Sequence, residues 1–152
     1  MKVNTVWTSK GRMGGAVLGA FFLATISVGA EDWRQFRGSD RLAVWNETGI
    51  INEFPDAGLK VTWRVDIRSG FSGPAVADGR VFVTDWEEDP DSRTIDGTER
   101  IVVLDEQTGE ELWTYTWGTT YRALLQSYAG GPMATPTVDG DRVYVLGATG
   151  LL

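Results

Sequence analysis

Two copies of one phrase, 62 residues apart, constrain the fold of this chain more than any other feature of its sequence. The phrase reads GPAVADGRVFVTD at Gly73 to Asp85 and TPTVDGDRVYVLG at Thr135 to Gly147. Each copy places an Asp-Gly pair, Asp78-Gly79 or Asp139-Gly140, between two apolar runs, which is typical of a two-residue hairpin turn. The duplication predicts a repeat protein built from copies of one β-sheet unit.

Short β-rich runs separated by turn residues extend from Lys60 to the end, and no long helix is visible. The runs are KVTWRVDI, PAVA, RVFVTD, RIVVLD, ELWTYTW, TPTV and RVYVLG. The 62-residue repeat and the 50-residue interval from Trp63 to Trp113 exceed the roughly 40 to 45 residues of a four-stranded repeat. Two connections must therefore be long, and we assign them to Trp86 to Glu99 and Gly118 to Gly131.

The turns should alternate between the two ends of an antiparallel meander. The tight turns Asp78-Gly79, Glu106 to Gly109 and Asp139 to Asp141 then share one end, and the two long connections share the other. Binding in repeat proteins tends to use the end that carries insertions. The elaborated end is therefore the predicted ligand face.

The first thirty residues differ from the rest of the chain. Their only charges are Lys2, Lys10 and Arg12, and the uncharged stretch Met13 to Ala30 ends in SVGA. This pattern predicts a secretory signal peptide over residues 1–30, cleaved so that Glu31 becomes the N-terminus, with a periplasmic or secreted product. An uncleaved membrane anchor is the alternative; after cleavage no stable membrane span is expected.

Residues 31–59 form an irregular segment that we call the N-terminal strap, and residues 60–152 form the repeat region. Trp33, Phe36, Trp45 and Phe54 are too unevenly spaced for a helix stripe or a strand face. Trp33, Phe36 and Arg37 could form a recognition element, but a strap that covers a sheet edge is the preferred interpretation.

Charge and residue usage exclude several classes of function. Removing the three leader charges from 14 basic residues leaves 11 against 21 acidic residues, a net charge of −10, so nucleic acid is an improbable partner. The chain has no Cys and no His. Disulfide chemistry, a Ser-His-Asp triad and a typical zinc site therefore cannot be built from it, and we assign no catalytic, cofactor-binding or metal-binding residue.

Four residues of the segment VVLDEQTGEELW resemble the tryptophan-docking motif of quinoprotein-type β-propellers: Asp105, Thr108, Gly109 and Trp113. DWRQFRG at Asp32 to Gly38, ETG at Glu47 to Gly49 and GPMATPTVDGDRVYVLG at Gly131 to Gly147 are similar to the exported pyrroloquinoline-quinone-like repeat proteins. The resemblance implies an all-β fold, a partial β-propeller of about two four-stranded antiparallel blades. GATGLL at Gly147 to Leu152 enters a further strand, so we expect a truncated N-terminal fragment of a longer propeller.

The resemblance implies two functions and does not choose between them. The preferred one is a noncatalytic scaffold for binding or assembly, which needs no cofactor. Its partners would be an unknown protein or small-molecule ligand and the remaining blades of its own propeller. The alternative is part of a dehydrogenase for alcohols or sugars that binds pyrroloquinoline quinone and calcium.

Two groups of residues on the elaborated end have chemistry that could bind a ligand. Trp86, Tyr121, Arg122 and Tyr128 could form an aromatic and basic platform, although packing at the rim explains them as well. Asp85, Glu87, Glu88, Asp89 and Asp91 lie close together in sequence and could bind calcium. Their spacing fits no calcium loop, so a solvated hairpin tip is the preferred interpretation.

Overall fold

The computed structural model describes residues 30–121 and 130–152, which form one four-stranded antiparallel sheet and one two-stranded hairpin. The sheet contains β1 (Ala75–Ala77), β2 (Arg80–Glu88), β3 (Ile95–Asp105) and β4 (Glu111–Tyr121) in sequential order. The hairpin contains β5 (Thr137–Asp139) and β6 (Arg142–Tyr144). The all-β prediction is confirmed, with one complete blade and the first two strands of a second unit; the predicted signal peptide lies outside the described residues.

The two copies of the repeated phrase fold with the same register. In β1 and β2, Ala77 pairs with Arg80, and in β5 and β6, Asp139 pairs with Arg142. The first turn is Asp78-Gly79 as predicted, with φ values of 51° and 73°. The second turn is Gly140-Asp141, one residue later than predicted, because Asp139 is held as a strand residue by its pairing with Arg142.

The central strands β2 and β3 are buried on both faces. One face carries the cluster of Ala75, Ala77, Phe82, Ile101, Val103 and Val138, and the other carries Val81, Val83, Val102 and Leu104. Val138 belongs to the second unit, whereas Trp63, which precedes the sheet, packs on the other face. A sheet covered by a neighbour on each face is the arrangement expected of a stacked blade.

The long connections are mostly strand rather than loop. Strand β2 continues to Glu88 and β3 starts at Ile95, so the loop predicted at Trp86 to Glu99 is only residues 89–94. Cross-strand pairs such as Trp86 with Glu99 extend the ladder through this polar sequence. In the second connection β4 continues to Tyr121, and residues 122–129 lie outside the described part.

The prediction of strands at Lys60 to Ile67 is wrong, since this run joins no ladder in the described residues. It is fixed instead by single contacts: the Trp63 indole donates to Glu106 O at 2.8 Å, and the Arg68 amide donates to Asp85 at 2.8 Å. GATGLL also forms a turn rather than a strand, since the Gly147 amide donates to Leu151 O at 2.8 Å.

The N-terminal strap runs along the first strands of both units. Trp33 and Val76 exchange two backbone hydrogen bonds of 2.8 and 3.0 Å, and the Val138 amide donates to Arg34 O at 2.8 Å. The Arg34 guanidinium also pairs with Asp78 at 2.8 Å, which raises the pKa of Arg34. The strap thus connects β1 to β5. No helix in the described ranges has the length and apolar character needed to cross a membrane.

Candidate functional site

The long hairpin of β2 and β3 and the end of β4 bring two of the four predicted platform residues together. The rings of Trp86 and Tyr121 meet edge to face, with centroids 5.0 Å apart and an interplanar angle of 76°. Arg122 and Tyr128 lie outside the described residues. Trp86 is only 4% exposed, so it forms the floor of this end rather than an open ligand platform.

Trp86 is buried because two glycines lie against its ring. A Cβ added at Gly97 would lie 2.3 Å from the indole nitrogen, and one at Gly130 would lie 2.5 Å from the six-membered ring. Real Cβ atoms do not approach other atoms so closely, so neither position accepts a side chain without rearrangement. The indole N–H finds no hydrogen-bond partner within the described ranges.

Glu99 is the central polar residue of this end, and its side chain is fully buried. One carboxylate oxygen, Oε1, accepts hydrogen bonds from the Tyr121 hydroxyl at 2.7 Å and the Ala148 amide at 3.1 Å. The other, Oε2, accepts one from the Trp117 indole at 2.7 Å. Because Ala148 belongs to the second unit, Glu99 joins the two units through one carboxylate.

Glu99 was not among the predicted site residues, although its position in the sequence carries one signal. Glu99 precedes Ile101 and Val103 at two-residue spacing, so all three lie on one face of β3. The other two are core residues of that face. A carboxylate at a position in phase with the core is expected to be buried and to need several donors.

Burial raises the pKa of Tyr121, and the hydrogen bond to the negatively charged Glu99 raises it further. The phenol therefore stays protonated at neutral pH and remains a donor. Tyr121 thus holds Glu99 in position, and its arrangement is not that of a group that gains and loses protons.

A groove of about 900 Å³ opens beside this network. Its walls are Asp96, Gly97, Gly118, Thr119, Thr120, Tyr121, Ala148 and Thr149. The hydroxyls of Thr119 and Thr149 lie 3.3 Å apart across the two units. Hydroxyl groups and one carboxylate supply the polar part of this lining, which suits a polar or positively charged group.

The acidic residues of the β2–β3 hairpin are dispersed. Asp85 is fully buried in β2, so the prediction that it lies in a solvated hairpin tip is wrong. The Arg100 side chain donates to both of its oxygens, at 2.7 and 2.9 Å, and this hydrogen bonding raises the pKa of Arg100. The other four residues are exposed. Asp96, farther along, accepts from Thr120 at 2.6 Å, and this bond and those from Thr94 and Ser92 lower its pKa.

The described carboxylates do not form a calcium site. Calcium needs six to eight oxygen ligands directed at one point. Across residues 30–121 and 130–152, no three carboxylates lie together in a way that would hold a metal ion. Asp85 already accepts from the Arg100 side chain and the Arg68 amide, and Glu99 accepts from three uncharged donors.

Three residues of the tryptophan-docking motif, Asp105, Thr108 and Gly109, form a turn, and the fourth, Trp113, lies apart from it in β4. Asp105 Oδ1 accepts from the Thr108 amide at 2.8 Å and the Thr108 hydroxyl at 3.0 Å, and these bonds lower the pKa of Asp105. Gly109 has a φ of 74°. The ring that covers it belongs to Trp63, since a Cβ at Gly109 would lie 2.7 Å from that indole.

Trp113 occupies the position in β4 that faces the second unit. It is 41% exposed, and its alternating neighbours Tyr115 and Trp117 lie on the same face, with ring centroids 6.1 Å apart. Together with Val143, Val145 and the C-terminal leucines they line a mainly apolar groove of about 300 Å³. Trp63, 50 residues before Trp113, lies against the turn of Asp105 to Gly109, whereas Trp113 lines a pocket with Gly140 and Asp141 of the second hairpin.

Comparison with known proteins agrees with this geometry. The family model described as outer membrane protein assembly factor BamB matches residues 4–152. Neither the curated proteins nor the solved structures contain a significant match to the chain. The match covers nearly the whole sequence, and the chain therefore belongs to this family of pyrroloquinoline-quinone-type β-propeller repeat proteins.

Proposed function

We propose that this protein is an exported, noncatalytic β-propeller scaffold that binds a protein partner at the long-hairpin end of its blades. The groove of about 900 Å³ at that end carries the proposal. It lies between the first and second units, where a partner would contact both. The family description, an assembly factor for outer membrane proteins, supports a partner that takes part in that assembly.

The chemistry of the groove favours a polypeptide segment with hydroxyl, amide or basic side chains. Its walls carry the hydroxyls of Thr119, Thr120 and Thr149 and the carboxylate of Asp96, which already accepts a hydrogen bond from Thr120. The mature chain, with a net charge of −10, would attract such a segment over distance. The interaction would be a polar one set on a rigid sheet.

The most chemically distinctive side chains of this end are engaged in structural contacts, which supports a noncatalytic role. Glu99 accepts three hydrogen bonds, and Asp85 accepts from Arg100 and from the Arg68 amide. A general base needs a free lone pair directed at a substrate. Both carboxylates instead hold strands together.

We propose a different partner for the apolar stripe of β4, which is formed by Trp113 and Tyr115. Trp113 and Tyr115 remain 41% and 64% exposed, and their exposed area is apolar, so burial would stabilise the assembly. We expect further blades of the same propeller to cover this stripe. A turn like that of Asp105 to Gly109 would then lie on Trp113 as it lies on Trp63.

Gly118 allows a direct test of the groove. It lines the groove, and a Cβ added there meets no atom within 4 Å. Gly118→Trp should therefore fill the groove while the sheet stays folded, and Gly118→Ala is the matched control. In cells lacking the gene, we expect Gly118→Ala but not Gly118→Trp to restore the level of folded outer-membrane proteins.

Two results would overturn the proposal. Full restoration by Gly118→Trp, with circular dichroism showing a folded protein, would mean that the groove is not the binding site. Turnover of an alcohol or sugar by the purified protein with pyrroloquinoline quinone and calcium would mean that the protein is an enzyme.

A further inference from the structure

The backbone nitrogen of Glu31 is held by a carboxylate of the N-terminal strap. The Glu31 amide donates to Oε1 of Glu47, and the Ser39 hydroxyl donates to the Glu31 side chain at 2.7 Å. Glu31 is therefore fixed at both its main chain and its side chain. Ala30, which precedes it, is exposed, so the peptide bond between them is accessible.

The residues that follow Glu31 are tied to the first hairpin. Two residues later Trp33 pairs with Val76 in β1, and Arg34 forms its ion pair with Asp78. The sequence independently predicts cleavage between Ala30 and Glu31. The cut would thus free the nitrogen that Glu47 contacts.

Cleavage changes the nitrogen that Glu47 contacts. Hydrolysis breaks the bond between the Ala30 carbonyl carbon and the Glu31 nitrogen; water supplies the carboxylate oxygen to Ala30 and protons to the nitrogen. A neutral amide with one donor becomes an ammonium with three donors and a positive charge. Charge-assisted hydrogen bonds are shorter and roughly twice as strong as neutral ones.

We propose that Glu47 is a receptor for the mature N-terminus, which a signal peptidase would create by hydrolysing the Ala30–Glu31 bond. Processing would then convert a weak amide contact into an ion pair that anchors the strap across both units. This inference rests on the proposed export. It adds a binding site for the new α-ammonium group.

The charges around the nitrogen favour an ammonium. Glu47 is in contact, the Glu31 side chain adds a second carboxylate, and Asp32 is already paired with Arg34 at 2.5 Å. Asp32 and Asp78 balance the positive charge of Arg34. The ion pair is partly exposed, so solvent limits its strength, as for other surface pairs.

The test uses the processed protein purified from cells that express the full-length precursor. The α-amino pKa is measured by nuclear magnetic resonance after isotopic reductive methylation. We expect it to lie roughly 0.2 to 0.7 pH unit higher in the wild type than in Glu47→Gln, which corresponds to an exposed ion pair. Glu53→Gln, an exposed change in the same strap, should behave as wild type.

The possible outcomes separate the inference from the proposed function. Equal α-amino pKa values in wild type and Glu47→Gln would overturn the receptor role of Glu47. An intact mass that corresponds to a chain starting at a residue other than Glu31 would overturn the processing site. A chain that keeps its leader and stays in the cytoplasm would overturn export itself, and with it this inference.

Discussion

Replacing Glu99 by Gln tests whether one buried carboxylate joins the two units. Glutamine keeps the shape but offers one acceptor oxygen and one NH2 group. If its oxygen serves Tyr121 and Ala148, its NH2 group faces the Trp117 indole N–H, donor against donor. Losing one charged hydrogen bond and leaving the indole N–H without an acceptor costs about 3 to 4 kcal/mol. A neutral side chain is easier to bury, which offsets about 1 kcal/mol, so we expect a net loss of about 2 to 3 kcal/mol.

Urea unfolding followed by tryptophan fluorescence measures this loss. With a slope of about 2 kcal/mol per molar urea, the midpoint should fall by about 1 to 1.5 M. Glu110→Gln, the same chemical change at an exposed position, is the control and should shift the midpoint by less than about 0.25 M.

A second substitution shows whether the indole causes the loss. Trp117→Phe removes the N–H that faces the glutamine. The double variant should therefore lose at least about 0.5 kcal/mol less unfolding free energy than the sum of the two single losses. If the unfolding free energy of Glu99→Gln lies within about 0.5 kcal/mol of the wild-type value, the Glu99 carboxylate does not join the two units.

Three further predictions concern the turn, the buried ion pair and acid stability. Trp63→Ala should cost about 3 kcal/mol and Trp113→Ala about 1, because Trp113 keeps 41% of its area exposed; equal losses in urea unfolding would contradict this. Arg100→Ala should cost about 3 kcal/mol by leaving the fully buried Asp85 without its cation, and a loss below about 1 would show that Asp85 is otherwise satisfied. The Thr108 amide lowers the pKa of Asp105 from its ordinary 3.8, so this stabilisation is present above that pH and is lost as the pH falls through the lower folded value; unfolding midpoints of wild type and Asp105→Asn should therefore converge on acidification.

The hairpins and the fold class could be predicted because their determinants are local. Apolar alternation and the Asp78-Gly79 turn specify β1 and β2, and the second copy repeats the pattern. The second turn was displaced by one residue because the pairing of Val138 with Val143 sets the register, and the Asp-Gly dipeptide does not.

The candidate site was less predictable because its contacts are distant in sequence. The Glu99 carboxylate accepts a hydrogen bond from the amide of Ala148, 49 residues away, and no local sequence pattern predicts that contact. The polar ends of β2 and β3 resembled a loop because their strand character comes from pairing rather than composition. The turn of Asp105 to Gly109 was recognised from its residues, whereas the ring that covers it, Trp63, comes from the segment before the sheet.

The bond between Val138 and Arg34 has a consequence for synthesis on the ribosome. The acceptor leaves the exit tunnel early, and its donor follows more than a hundred residues later. The strap therefore cannot join the second unit until Val138 has been synthesised. Such long-range closure slows folding and prolongs the time during which strand edges stay unpaired.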